Sequence, residues 1–197
     1  MPYPSLLQRG VNIVARAEDP YSLVQSDFPR ELAEFLDFVG PSVLDAAVRK
    51  VDQRVSAWPP EARPLFGDRY FFHEQCVRFA RGSTPFQLDL SDPVALRAAS
   101  FIFSVNRVKR SLSPQGAFRL QRMVLDNLMP DRDIRQIEHE MRCAIHFGRK
   151  RFKVTFADLE GLGKFDLLVE TPSASIEVEC KTVTGETGSQ LKAELIA

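Results

Sequence analysis

From Ser175 to Gly188 the chain reads SIEVECKTVTGETG, with Glu177, Glu179 and Lys181 at alternate positions inside an apolar run. Successive side chains of an extended backbone point to opposite faces, so these three ionisable groups share one face while Ile176, Val178 and Cys180 share the other. A strand with one face in water shows the same alternation. The pattern acquires chemical meaning through a second acid, Asp166 in GLGKFDLLVE, separated from Glu179 by 12 residues. If the two segments pair around Thr171-Pro172-Ser173, both carboxylates face one side near one end. Crowded carboxylates repel or raise one another's pKa unless a cation lies between them. Mg²⁺ suits such a place, with Mn²⁺ as the alternative: it takes oxygen ligands, keeps several waters, and needs only one or two protein carboxylates beside phosphate oxygens.

The elements that must position these groups are legible from periodicity. SVLDAAVRKVDQRV sets Val43, Ala47, Val48, Val51 and Val55 at helical spacing, and WPPEARP ends the pattern. Further helical patterns occupy FGDRYFFHEQCVRFARG, SDPVALRAASFIFSVNRVKR and SPQGAFRLQRMVLDNL. In the second of these, Ser91 or Asp92 is placed to cap and Pro93 suits the first turn. Short extended pieces are expected at VNIVA and FQLDL. Beyond Met129 and Pro130, Asp131 and Asp133 serve the start of a helix to about Phe147, with Ile134, Ile137, Met141 and Ile145 on one side and Gly148 as its stop. RFKVTFADL, FDLLVE and ASIEVECKTV follow as strands joined by EGLG and TPS, and TGETGSQLKAELIA reads as a closing helix capped by Ser189. The fold class is α+β: a mainly helical region over 1–130, with a possible substrate or partner role, then helix, three-stranded antiparallel meander and helix over 131–197.

That order, with Asp166 on the second strand and Glu179-Cys180-Lys181 on the third, resembles the PD-(D/E)xK nuclease superfamily of restriction-endonuclease-like fold. GKFD, CKT and Gln190 in the next helix are most similar to its RecB-type branch. The resemblance covers roughly the last third of the chain. It departs from the family pattern in having Phe165 before Asp166 and in matching a core that is incomplete at the C-terminus. It implies a Mg²⁺-dependent endo- or exonuclease, with Asp166, Glu179 and the carbonyl of Cys180 as metal ligands. Lys181 is implied to orient the attacking water and stabilise charge on the phosphate. The family also places a Glu on the first core helix. At about 100° per residue from Ile134, Glu138 falls near +40° and Glu140 near −120°, so Glu138, nearer the apolar side, is the expected helix acid.

Charge gives the expected partner. Residues 1–100 carry 11 basic and 13 acidic side chains, 101–153 carry 12 and 5, and 154–197 carry 3 and 8. The net charge of zero therefore hides a basic block directly before an acidic one. Such a block is either a solvated face or a seat for phosphates. On the second reading Arg149, Lys150, Arg151 and Lys153, with Gln190, contact nucleic acid, DNA being the leading candidate. The alternatives are a catalytically inactive nuclease-like or helical module that binds nucleic acid or protein, and a helical interaction protein with ordinary C-terminal strands. The three widely spaced cysteines form neither a disulfide framework nor a zinc motif. His139 and His146 lack a third metal ligand, His73 and Cys76 lack a triad partner, and GLGK reads as a hairpin turn. No apolar run approaches the roughly 18 residues of a membrane span, and the N-terminus does not read as a signal peptide. The expectation is a cytoplasmic protein without a membrane partner and of open oligomeric state.

Overall fold

The computed structural model describes residues 25–62, 70, 72–76, 79, 88–89, 91–129 and 134–181. Among these, α1 (Phe28–Val39) and α2 (Pro41–Ser56) meet at Gly40, whose φ of 84° is open to a residue without a Cβ. Residues 72–76 are helical, and α3 (Pro93–Ser111), α4 (Pro114–Asn127) and α5 (Ile134–Arg149) follow. Capping chemistry sets two of the starts. Asp92 accepts from the Val94 and Ala95 N–H groups at 2.8 and 3.1 Å, and Ser113 accepts from Gly116 N–H at 3.0 Å, each with proline in the first turn. The α2 stripe is rotated from its expected position, burying Leu44 and leaving Val43 exposed.

The sheet contains β1 (Lys153–Phe156), β2 (Leu167–Glu170) and β3 (Ser175–Val178), antiparallel in the order β1-β2-β3. This is the expected meander, with one change. The segment expected to remain extended through Leu159 turns after Phe156 into a short helix, α6 (Ala157–Glu160). Gly161 closes it at φ 72°, and Leu162 N–H reaches back to the Ala157 carbonyl at 2.7 Å. The alternation of buried Ala157 and Leu159 looks strand-like in sequence, yet the glycine that follows permits the left-handed closure of a helical turn.

Helix α5 also runs past its expected stop. Gly148 lies inside it, and Arg151 takes the left-handed position at φ 64°. Arg151 N–H donates to the Gly148 carbonyl at 2.8 Å and Phe152 N–H to the Phe147 carbonyl at 3.3 Å, the paired bonds of a Schellman ending.

Buried apolar side chains from both sides of residue 130 belong to one contiguous core, from Phe28 and Phe35 through Ile102 and Leu120 to Met141, Leu167 and Cys180. Phe72 packs edge-on against Phe101 at 4.9 Å and against Phe35 at 5.7 Å, and Phe79 against Phe28 at 5.2 Å, as core side chains. Among the described residues no helix is long and apolar enough to cross a membrane. The segments VNIVA and TGETGSQLKAELIA, with Ser189 and Gln190, lie outside the described residues.

Candidate functional site

Asp166 immediately precedes β2 and Glu179 immediately follows β3. The last registered pair is Leu167 with Val178, so continuing the ladder by one step sets Asp166 opposite Glu179. Opposed residues of an antiparallel pair share a face. The backbone ties this end together. Cys180 N–H donates to Asp166 Oδ2 at 2.5 Å, and Ala157 N–H to the Asp166 carbonyl at 3.0 Å. The Asp166 carboxylate is thus anchored on the peptide between Glu179 and Lys181.

Glu179 and Lys181 form an ion pair with each other, both exposed, and this bond with added attraction from Glu179 and Asp166 raises the Lys181 pKa. Glu177 is exposed on β3. Cys180 turns the other way into the core, where burial first and its neighbour Cys143 second push its thiol up to about 12.

The structure gives the two acids of α5 different partners. Glu138 faces α3, where Arg97 grips it through Nε at 2.8 and 3.0 Å and through Nη2 at 2.6 Å. Glu140, on the opposite flank of α5, is the acid beside Asp166. Burial, reinforced by the charges of Asp166 and Asp158 and opposed by a hydrogen bond from Gln136, lifts its pKa to about 7. The projection could not separate the two. The buried residues Ile134, Ile137, Met141, Ala144 and Gly148 centre on a direction from which Glu138 and Glu140 each diverge by roughly 80°. Both acids are buried, and the neighbour on each flank decides their chemistry.

Asp158 was not anticipated. It rides on α6, and burial with a contribution from Asp166 raises its pKa against the opposing Leu159 N–H, which it accepts at 2.7 Å. Helix α6 is docked on α4: Glu160 accepts from Ser113 N–H and Oγ–H at 2.8 and 2.7 Å, and Arg119 Nη1 donates to the Leu159 carbonyl at 2.8 Å. The sequence signal was the Asp-Leu-Glu-Gly run, which ends as a helical turn ends.

Of the expected phosphate contacts, Arg149, Lys150 and Arg151 are exposed at the α5–β1 turn. Lys153 is paired across the sheet with Glu170, its registered partner, at 2.7 Å. Part of the wider basic block serves the fold. Lys109 pairs with Glu34 at 3.3 Å, and Arg110 with Glu34 and with buried Glu31 at 2.8 Å, while Asn106 Nδ2 donates to the Glu31 carbonyl at 2.7 Å. His73 is a core residue, its Nε2 2.7 Å from the Leu128 carbonyl.

Among the described residues no three His, Cys, Asp or Glu side chains gather closely enough to enclose one ion. Mg²⁺ does not require three, because water and phosphate oxygens complete its shell. Glu140, Asp158 and Asp166 offer hard oxygen donors; burial first, and neighbouring carboxylates after it, raise the pKa of the first two, and a divalent cation beside one or two of them would relieve that repulsion. The donor chemistry fits. Comparisons with protein-family models, curated proteins and solved structures return no match to this chain.

Proposed function

We propose that this chain is a metal-dependent nuclease of the PD-(D/E)xK type acting on DNA. The observation that carries the reading is the anchoring of Asp166 on the Cys180 N–H, which joins the acid before β2 to the Glu-x-Lys element after β3. Asp166 and Glu179 would hold Mg²⁺ or Mn²⁺ with the Cys180 carbonyl as a further ligand, and Glu140 lies in the helix position beside Asp166. When bound, the ion supplies Lewis acidity toward the phosphate and a more acidic water. Lys181, held by Glu179 at the edge of the cluster, orients the attacking water and stabilises negative charge developing on the phosphate oxygens. Arg149, Lys150 and Arg151 attract the backbone of the strand without reading its bases.

The Glu179–Lys181 pair also favours a second reading, a nuclease-like module that binds without cutting, because each group already neutralises the other. One assay separates the two. Supercoiled plasmid and linear DNA are incubated with the protein and Mg²⁺ or Mn²⁺, with and without chelator. The nuclease reading expects cleavage that chelator abolishes and that Asp166→Ala lowers by about 100-fold or more. DNA binding without cleavage in either metal would replace it with the second reading.

A further inference from the structure

Where α3, α5 and β1 meet, packing stops short of contact and leaves a cavity of about 370 Å³, within the size range of small-molecule pockets. Side-chain size accounts for it. Along α3, Ser104, Arg107, Val108 and Ser111 recur at three- and four-residue spacing and share one face. With two serines on that helix and Ala144 on α5, the side chains are too short to fill the space between them. On β1, Val154 and Phe156 lie at alternate positions and line the same cavity.

The walls divide by chemistry. Val108, Ala144, Ile145, Val154 and Phe156 are apolar, and the first two with Phe156 are part of the buried core. The rest of the lining is polar or cationic, with the two serine hydroxyls and the guanidinium groups of Arg107 and Arg110. Among the described residues no acid lines the cavity. The bonds from Arg110 to Glu31 and Glu34 all run through Nη2, which leaves its Nε and Nη1 to a further acceptor. Ser104 donates to the Ser100 carbonyl at 2.7 Å and Ser111 to the Val108 carbonyl at 2.8 Å, back-bonds that a charged acceptor can displace as the hydroxyl turns. The α5–β1 turn, with exposed Lys150 and Arg151, joins two of the three walls and adds positive charge to the neighbourhood.

We propose that this cavity is a binding site for a small organic phosphate, with its apolar body against Val108, Ala144, Ile145, Val154 and Phe156 and its phosphate at Arg107 and Arg110. A guanidinium presents a planar fork of N–H donors that meets phosphate oxygens in pairs. A phosphate monoester carries close to two negative charges near neutral pH and three acceptor oxygens, so two arginines and two hydroxyls suit it better than they suit a carboxylate. The apolar body displaces water from a wall that offers it few hydrogen bonds, and this supplies affinity that a well-hydrated phosphate lacks by itself. None of the lining residues takes part in the proposed hydrolysis, so the site stands whether or not the chain cleaves DNA.

The probe is naphthyl phosphate, with naphthol and inorganic phosphate as its two halves. Each is titrated into the full chain labelled with ¹³C at alanine, isoleucine and valine methyls, because such residues form most of the apolar wall. The expected result is that the methyl signals of Val108, Ala144, Ile145 and Val154 shift together along one saturating curve, with naphthyl phosphate bound about tenfold tighter than either half, or more. Ala144→Leu, which puts a larger side chain into the cavity, should weaken that binding by about tenfold or more. Arg107→Met should lower the affinity for naphthyl phosphate by about tenfold and leave that for naphthol unchanged. Shifts confined to other methyls, equal affinity for naphthyl phosphate and naphthol, or no shift at millimolar probe would each overturn the proposal. The titrations of the wild-type chain decide the matter even where a variant fails to fold.

Discussion

Glu138 and Glu140 carry the same functional group two residues apart on one helix, and their surroundings give them opposite tasks. Glu138 is a buried charge with a bidentate cationic partner, whereas Glu140 is a buried charge facing other acids. The folded chain holds the Glu140 proton until about pH 7, while the unfolded chain releases it near 4.5. The stabilisation this confers is complete below pH 4.5 and is lost as pH rises toward 7, a difference of up to about 3 kcal/mol. Glu140→Gln should therefore match the wild type in urea unfolding at about pH 4.5 and exceed its stability by about 2–3 kcal/mol at pH 8. Mg²⁺ added at pH 8 should narrow that gap by stabilising the wild type more than the variant. Equal stabilities at pH 8 would contradict this account of the cluster. Glu138→Gln should act in the other direction, losing about 3 kcal/mol because Arg97 remains partly buried without its counter-charge.

At the scale of elements, the site depends on three short connections that bring strand ends and helix flanks together. The α5–β1 turn is the tightest of them. Its Schellman bonds require a left-handed residue, and the position is held by Arg151 where glycine would be unstrained. Arg151→Gly should raise stability by about 0.5–1 kcal/mol, the relief of a left-handed Cβ less the added entropy of the unfolded chain. Thermal unfolding of the two proteins measures it, and a lower Tm for the variant would show that the guanidinium makes a contact worth more than the strain. The α6 turn has a different role. Glu160 and Arg119 fasten it to α4, and this carries Asp158 to the Glu140–Asp166 cluster.

Across the whole molecule, the segregation of charge along the chain is only partly a segregation in space. Lys109, Arg110 and Lys153 of the basic block pair with acids of α1 and β2, and Arg97, before the block, pairs with an acid of α5, so part of the block holds elements together. The cluster at the α5–β1 turn is exposed and open to a polyanion. Neutralising Arg149, Lys150 and Arg151 together should weaken binding to all duplex sequences about equally and reduce the slope of log affinity against log salt by up to roughly 2.7, or about 0.9 per lost contact. Lys153→Ala alone should change the slope little, since its ammonium is engaged by Glu170. Salt titrations with a labelled duplex provide the comparison. Unaltered slopes in the triple variant would make this surface a solvated face.

What the amino-acid sequence determined by itself is what depends on neighbours along the chain. Asp92 and Ser113 cap helices because the N–H groups they satisfy lie two or three residues away. The meander follows from alternation and short turns, and the opposition of Asp166 and Glu179 follows from the length of the hairpin between them. What only the tertiary structure decided is what depends on the element lying across a given face. Arg97 and Glu138 are separated by 41 residues, and Arg110 and Glu31 by 79. No periodicity within one helix encodes which of two equally inclined acids meets a guanidinium and which meets carboxylates. The pairing of Lys153 with Glu170 and the arrival of Asp158 beside Glu140 have the same origin. Side-chain charge is written in sequence, but its partner, its burial and hence its pKa arise only when distant segments pack.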